Sequence, residues 1–596
     1  MFENNESFLS TDVCPLVDEL KRLKKSSSEA VDNDEEFSPF KMYMHIHRSL
    51  EDDLIKKIEQ AKESIGKSLI LVCGNVGDGK SHVISYLKHT RSDLLDGFII
   101  HNDATESRSP NRDEKEELAM VLHNFCDDCI SNDSDDKIIV AINLGVLSNF
   151  IDSEKGKGKG REFSKLAEYV NRNNILIDNI VGENPEQNSC FFHINFGDYH
   201  IFRLNNGTID SPYIEEVIER IVCDSEDNPF YQSYKRCSEC SVDHCPVKAN
   251  FEMLQNKKVV SGLINILIET IVKDKVILST RELLDFFYDI IVHPDFNKAK
   301  LSKSKNRLEQ FIKYCLPSLM YEHEEASMIL SHLTKYDFIN QRTELFDRIT
   351  TRFNTTDKLT EMFEFYIDGN PISDQIFSFD INALCEGSAS KSKELKKILF
   401  ALFTRLCKII PKQSDFSIVN EEFNEFIADL YYSIRQDKKK LHKIYKTVEK
   451  CIYEWNGGSY GSKCINLRSD VEGYIVSTEL DLEPDLSDFK SVLSDEQFDK
   501  FPSYINLVFT KKKEKEKSAT ISIDYDLYKM LKLVESGYRP SAKDNNRYIG
   551  FLTFINRLAE FSGFDEEILI KSYIRDEDKQ FTLSKGGFGY TFSEVK

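Results

Sequence analysis

The run Gly74-Asn75-Val76-Gly77-Asp78-Gly79-Lys80-Ser81 spells G-x-x-x-x-G-K-S, and its flanks match what that spacing needs. Ser68-Leu-Ile-Leu-Val72 ahead of it is an apolar run of strand length. His82-Val-Ile-Ser-Tyr-Leu-Lys88 behind it carries Val83, Ile84 and Leu87 at helical spacing. Strand, glycine-rich turn, helix is the arrangement of a phosphate-binding loop. Glycines let backbone N–H groups close around phosphate oxygens, and the new helix offers its positive end to the same charge. In that chemistry residues 74–82 hold the nucleotide. Lys80 reaches the β- and γ-phosphates, and the Ser81 hydroxyl ligates Mg²⁺. The bound species expected is ATP with Mg²⁺.

Further apolar runs alternate with helical segments, as in a parallel sheet covered by helices. Leu69–Val72, Phe98–Ile100, Lys137–Asn143, Ser189–Asn195 and Lys275–Arg281 are the strand candidates. They predict an α/β P-loop NTPase domain, AAA-like or STAND-like, over residues 46–300. Residues 1–45 read as a flexible leader. From 301 to 460 the periodicity is helical, with a core stripe at Leu395, Ile398, Leu399, Leu402, Phe403, Leu406 and Ile409. Residues 461–596 mix strand-like runs with the helix Tyr525 to Leu533 and predict a small α+β domain. A chain of 596 residues has room for several cores.

Hydrolysis usually uses a carboxylate at a strand end beside the phosphate loop, which holds Mg²⁺ through water and orients the attacking water. The third strand ends instead in Asn143. An amide can hydrogen-bond a metal-bound water but is a poor base, so turnover is expected to be slow. Asp103 and Glu106 are the nearby acids in sequence. Asn195 falls where a polar group can sense the γ-phosphate, and Arg281 where a cation can meet it. Lys80, Asn143, Asn195 and Arg281 are thus the candidate catalytic set.

Fourteen cysteines are scattered along the chain. Cys237-Ser-Glu-Cys240 followed by Cys245 puts thiols at metal-ligand spacing, and Cys223 upstream is the expected fourth ligand. Zinc is the expected ion, though an iron–sulfur cluster uses the same thiolates. Cys126-Asp-Asp-Cys129 is a second C-x-x-C.

A net charge of −22 argues against a general nucleic-acid coat. Local exceptions are Lys155-Gly-Lys-Gly-Lys-Gly-Arg161, suited to draping along a phosphate chain, and the basic stretch Arg435 to Lys450. No apolar run approaches the roughly 20 residues of a membrane span. The sequence begins without the basic-then-apolar signature of a secretion signal, so the cytoplasm is the expected location.

Taken together, Gly74–Ser81, the Asn143 strand, the Cys237/Cys240/Cys245 group, Ser279-Thr-Arg-Glu-Leu-Leu-Asp285, Leu527-Tyr528 and Gly537-Tyr-Arg-Pro540 resemble the DptF family. That family is the ATPase-like component of the bacterial DNA phosphorothioation-dependent restriction system. The resemblance implies an ATP-binding subunit that works with a helicase-like subunit and a third protein. Their target is DNA lacking a sulfur mark on its backbone. No nuclease motif is placed on a strand here, so cleavage is not expected of this polypeptide. The competing expectation is a slow STAND-like nucleotide switch that scaffolds partners.

Overall fold

Every residue of the strand Ser68–Gly74 (β1) is buried, which requires apolar cover on both faces of the sheet. The alternation of side chains supplies it. Leu69, Leu71 and Cys73 point into one cluster with Ile138, Val140 and Ile142. Ile70 and Val72 point into the other with Ile139, Ala141 and Ile194. The first cluster is closed by Leu147, Phe150, Leu166 and Val170, the second by Leu50, Leu54, Val83 and Leu87.

The computed structural model describes residues 14–24, 37–102, 114–132, 134–156, 162–176, 190–303, 306–340, 342–386, 390–412, 420–457, 463–468, 473–487, 498–512, 514–562, 567–572, 580–586 and 589–595. Asp103, Glu106 and residues 157–161 of the glycine–lysine stretch lie outside them. Strands Phe98–His101 (β2), Lys137–Asn143 (β3) and Phe191–Asn195 (β4) join β1 in the order β2-β3-β1-β4. All three pairings are parallel. Gly74 pairs with Asn143 and Cys73 with Asn195, so both asparagines end their strands level with the start of the glycine loop.

The fifth expected strand does not form. Lys275 takes a left-handed conformation (φ 53°) at the end of the helix Lys257–Asp274, and the chain then runs without a partner strand to Ser279. Val276 and Leu278 are buried while Ile277 is exposed, which is the alternation that imitates a strand. Ser279-Thr-Arg-Glu282 is instead a capping box. The Ser279 hydroxyl accepts from the Glu282 N–H, and the Glu282 carboxylate accepts from the Ser279 N–H. Arg281 therefore opens a helix rather than closing a strand.

The stretch expected as a flexible leader holds helices. Pro15–Leu20 (α1) and the 3-10 turn Lys21–Leu23 bury Leu16, Leu20 and Leu23, and Pro39–Tyr43 (α2) follows. The helix Ser49–Glu63 (α3) then leads into β1, and Lys80–Thr90 (α4) leaves the loop. Pro212–Val222 (α5), Pro229–Lys235 (α6), Pro246–Leu254 (α7) and Thr280–Ile291 (α8) begin a helical middle. It continues through Ser390–Ile409, whose expected apolar stripe is buried except for the half-buried Ile398. In that middle Arg405 is enclosed with Asp337, its Nη2 atom 2.6 Å from the carboxylate.

The chain divides into two compact units, Met1–Arg203 with Asp210–Val419, and Leu204–Ile209 with Asn420–Lys596. The second unit begins earlier than the boundary expected near 460. It holds the helix His442–Glu454, an antiparallel sheet of Leu482–Pro484, Ile505–Lys511 and Glu514–Ile523, and a five-stranded antiparallel sheet. The expected basic helix starts only at His442 because Gln436 is left-handed (φ 56°) and Asp437 caps the Lys439 and Lys440 N–H groups.

Candidate functional site

The loop after β1 bends through Gly74 (φ 153°), Gly77 (φ 90°) and Gly79 (φ 89°), conformations in which a side chain is strained. Close packing enforces the second of these. A Cβ on Gly77 would stand 3.0 Å from the Ser279 hydroxyl oxygen. Asp78 folds back so that its carboxylate accepts from the Asn75 N–H at 2.5 Å. Burial raises the Asp78 carboxyl above its ordinary range, against the lowering pull of that N–H and of Lys80 and Arg48.

Lys80 begins α4, and its ammonium donates to the carbonyls of Gly74 (3.1 Å) and Asn75 (2.6 Å). It thus lies across the mouth of the loop. The Ser81 hydroxyl donates to the Asn102 carbonyl at the end of β2, 3.2 Å away. Asn102 ties β2 to the expected Mg²⁺ position and is the residue just before Asp103.

Lys80, Ser81 and Asn102 line a cavity of about 420 Å³ that also takes in Asn143 and Arg281. The structure thus gathers Val76–His82, Asn143 and Arg281 around one space, while Gly74 and Asn75 are not among its lining residues. Asn195 is not among the lining residues. Its amide oxygen accepts from the Gly197 N–H and its nitrogen donates to Asp198, capping the turn after β4. Asn143 accepts from the Gly145 N–H at 2.9 Å through its amide oxygen.

Sequence reasoning missed the part of the lining that comes from the segment before β1. Phe37, Phe40, Met44, His45 and Ile46 supply an apolar and aromatic face, while Arg22, Lys24, Lys41 and Arg48 add positive charge. The His45 ring stacks on Tyr86 with centroids 3.5 Å apart, and Phe37 meets His82 at 5.2 Å. His45 Nδ1 and His82 Nε2 are 3.1 Å apart. Burial, then the neighbouring His45 and Lys41, push His82 down to about 4, so it is neutral at physiological pH. The His45 imidazole also faces the buried Glu51 carboxylate at 3.2 Å. The Arg48 guanidinium lies over the Tyr213 ring, and the Tyr213 hydroxyl donates to Thr280 beside Arg281. One signal was available in advance: Leu16, Leu20 and Leu23 fall on one helical stripe, which is unlike a solvated leader.

The cavity is of ligand size, and apolar, aromatic and cationic side chains share its lining. Such a lining accepts a flat ring and a chain of anionic groups together.

Among the cysteines, Cys223 sits against the Tyr43 hydroxyl (3.7 Å) and the Asn228 amide nitrogen (3.6 Å). Among the described residues no three of Cys223, Cys237, Cys240 and Cys245 have sulfurs within 4.8 Å of one another. Elsewhere, the ligand atoms of His123, Cys126 and Cys129 all lie within 4.8 Å of one another, a group able to hold a metal ion. Among the described residues no helix is long and apolar enough to cross a membrane. Comparison with protein-family models, with curated proteins and with solved structures finds no match for this chain.

Proposed function

We propose that this chain is a P-loop NTPase subunit that binds ATP with Mg²⁺ in the cavity beside Gly74–Ser81. One observation carries the reading. The glycine loop, Lys80 and Ser81 line a pocket that also takes in the aromatic rings of Phe37, Phe40 and His45. The phosphates lie along the loop and the start of α4, where N–H groups and Lys80 neutralise them. Ser81 ligates Mg²⁺, and the Asn143 amide faces a metal-bound water. The base packs among Phe37, Phe40, Met44 and His45. Arg281 and Arg48 stand where charge on the terminal phosphate needs cover.

Hydrolysis is slow in this reading, because the group at the end of β3 is an amide. The resemblance to the DptF family then gives the setting: the nucleotide-binding subunit of a restriction complex acting on DNA without the sulfur mark. The alternative, a STAND-like switch that scaffolds partners, is favoured by the same Asn143. Titration calorimetry with a slowly hydrolysed MgATP analogue tests the binding. ATPase assays on duplexes with and without phosphorothioate, with candidate partners present, separate the two settings. Strong stimulation by unmarked DNA supports the restriction subunit, and a flat low rate supports the switch.

A further inference from the structure

His123, Cys126 and Cys129 fall three residues apart, and the backbone that carries them turns with the same period. The 3-10 turn His123–Phe125 is closed by the Cys126 N–H, which donates to the His123 carbonyl at 3.1 Å. The next turn is closed by the Cys129 N–H, which donates to the Cys126 carbonyl at 3.0 Å. A chain with about three residues per turn brings the side chains at i and i+3 onto one side. One imidazole and two thiols therefore meet, with one donor atom from each lying within 4.8 Å of the other two.

These turns are held from both sides by groups that are not themselves ligands. Lys67, directly ahead of β1 and only 8 % exposed, donates through its ammonium to the carbonyls of Asn124 (3.0 Å) and Cys129 (2.6 Å). The Asp127 carboxylate accepts from the Ser164 and Lys165 N–H groups, at 2.9 and 3.0 Å, where the helix Ser164–Arg172 begins. Leu122 and Phe125 are fully buried in the first cluster of the sheet. The ligand-bearing backbone is thus ordered before an ion arrives, which removes much of the ordering that binding would otherwise have to impose.

From this arrangement we infer that His123, Cys126 and Cys129 bind one zinc ion, with water at the fourth position. Two thiolates and an imidazole are the donors zinc prefers. Bonds of about 2.3 Å to sulfur and about 2.0 Å to nitrogen set tetrahedral neighbours about 3.6–3.8 Å apart. Side-chain rotation closes the remaining gap from atoms that are already within 4.8 Å. Cys126 is buried, Cys129 half-buried and His123 exposed, so the open position lies on the imidazole side. Thiol–disulfide exchange, the other use of a C-x-x-C pair, draws on a thiolate stabilised at a helix N-terminus. Residues 126–132 form turns instead, and the nearby Lys67 ammonium is engaged by carbonyls.

The ion would close the connection between the helix Glu114–Val121 and β3. It would sit at the end of β1 opposite the glycine loop, roughly 20 Å from it at about 3.3 Å per residue. It therefore takes no part in phosphate chemistry, and the inference does not rest on the nucleotide reading. Its effect is on stability, because an ion that binds the folded chain alone favours that state by mass action.

The test uses the full chain, stripped of metal by a chelator under reducing conditions and then given Zn²⁺ alone. Mass spectrometry reads the metal content, and competition with a chromophoric chelator reads the affinity. We expect one zinc per chain and a thermal midpoint raised by the ion. His123→Ala, at an exposed position, should weaken zinc binding by more than the about 10- to 100-fold that loss of an outer partner costs. With Co²⁺ as the probe, Cys129→Ser should diminish the sulfur-to-metal absorption. Cys237→Ser with Cys240→Ser should leave both readouts unchanged. In the wild-type chain zinc should shield Cys126 and Cys129 from alkylation, an arm that needs no variant to fold. No zinc uptake, full affinity in a folded His123→Ala variant, or alkylation of Cys126 and Cys129 indifferent to zinc overturns the site. A Cys126–Cys129 disulfide in place of zinc in the chain as isolated overturns it in favour of a redox pair.

Discussion

The ammonium of Lys80 lies 2.6 Å from the carbonyl oxygen of Asn75, so the cation that is to meet phosphate is held by the loop that is to cradle it. Phosphate entering the loop must exchange these carbonyl contacts, in which only the donor is charged, for contacts between opposite charges. Lys80→Ala should therefore weaken MgATP binding by about 10- to 100-fold, the loss of roughly 1.5–3 kcal/mol expected for hydrogen bonds to charged groups. The thermal midpoint should barely move. Calorimetric titration reads the first and differential scanning calorimetry the second. An unchanged affinity would remove Lys80 from the site.

Gly77 and Gly79 share nearly the same backbone angle but not the same surroundings. An added Cβ at Gly79 meets nothing within 4 Å, while one at Gly77 presses on Ser279 Oγ at 3.0 Å and Ser279 Cβ at 3.3 Å. Gly79→Ala should cost only the left-handed conformation, about 1–2 kcal/mol. Gly77→Ala should cost more, because the capping Ser279 must yield as well. Arg281, whose Cβ is next nearest at 3.6 Å, would be in ordinary contact and need not move. Urea denaturation of the two variants side by side gives the ordering, and equal losses would show that Ser279 gives way freely.

His82 makes stability depend on pH in a defined window. Its folded value lies near 4, below the ordinary 6.5, because burial disfavours the cation and His45 and Lys41 oppose it more than Glu51 helps. Between those values the unfolded chain binds the extra proton, so stability is full above about 6.5 and falls as pH drops toward 4. Discounted for partial exposure, the loss is about 2 kcal/mol. His82→Asn should flatten this part of the profile, leaving the slope from His293, which is also pushed down to about 4 by burial. Denaturation midpoints measured from pH 4 to 7 check it, and identical slopes would refute the assignment.

Within the helical middle, Arg405 and Asp337 are both 3 % exposed, and Nε and Nη2 of the arginine reach the same carboxylate oxygen at 3.1 and 2.6 Å. Removing only the arginine leaves a buried anion with no compensating charge. Arg405→Ala should lower stability by about 3–5 kcal/mol. Arg405→Met with Asp337→Leu should recover much of that, since the only carboxylate then losing its partner is Glu322, which Nη1 reaches at 2.5 Å and which is solvent-accessible. Equilibrium unfolding of the single and double variants measures the difference, and additive losses would contradict it.

Much of the first sheet was legible in the sequence because its signals are local. β1 through β4 are short apolar runs, and the glycine loop announces its own turn. Lys275–Arg281 misled because Val276 and Leu278 alternate like a strand, while the capping box at Ser279 and Glu282 was the stronger instruction. The aromatic wall of the cavity was not legible. Phe37 and His45 carry no motif, and they reach the pocket only because the segment before α3 returns across the start of α4. Cys223 misled in the opposite way, being near Cys237 in sequence yet facing Tyr43.

Asn143 offers the sharpest way to ask whether slow turnover is built into the site. Its amide oxygen caps the Gly145 N–H, a contact a carboxylate keeps, so Asn143→Asp should fold as the parent does. The new oxygen would face a cavity already lined by Lys80, Arg281 and Ser81, where cations hold it ionised. A charged acceptor there orients and polarises a metal-bound water as the amide cannot, an effect worth about 10²-fold or more for a positioned base. Single-turnover hydrolysis should accelerate by at least about tenfold, with affinity for the nucleotide little changed. If the rate instead stays at the parental level while binding is intact, the end of β3 does not face the reacting water, and the attacking group must be sought elsewhere along the cavity wall.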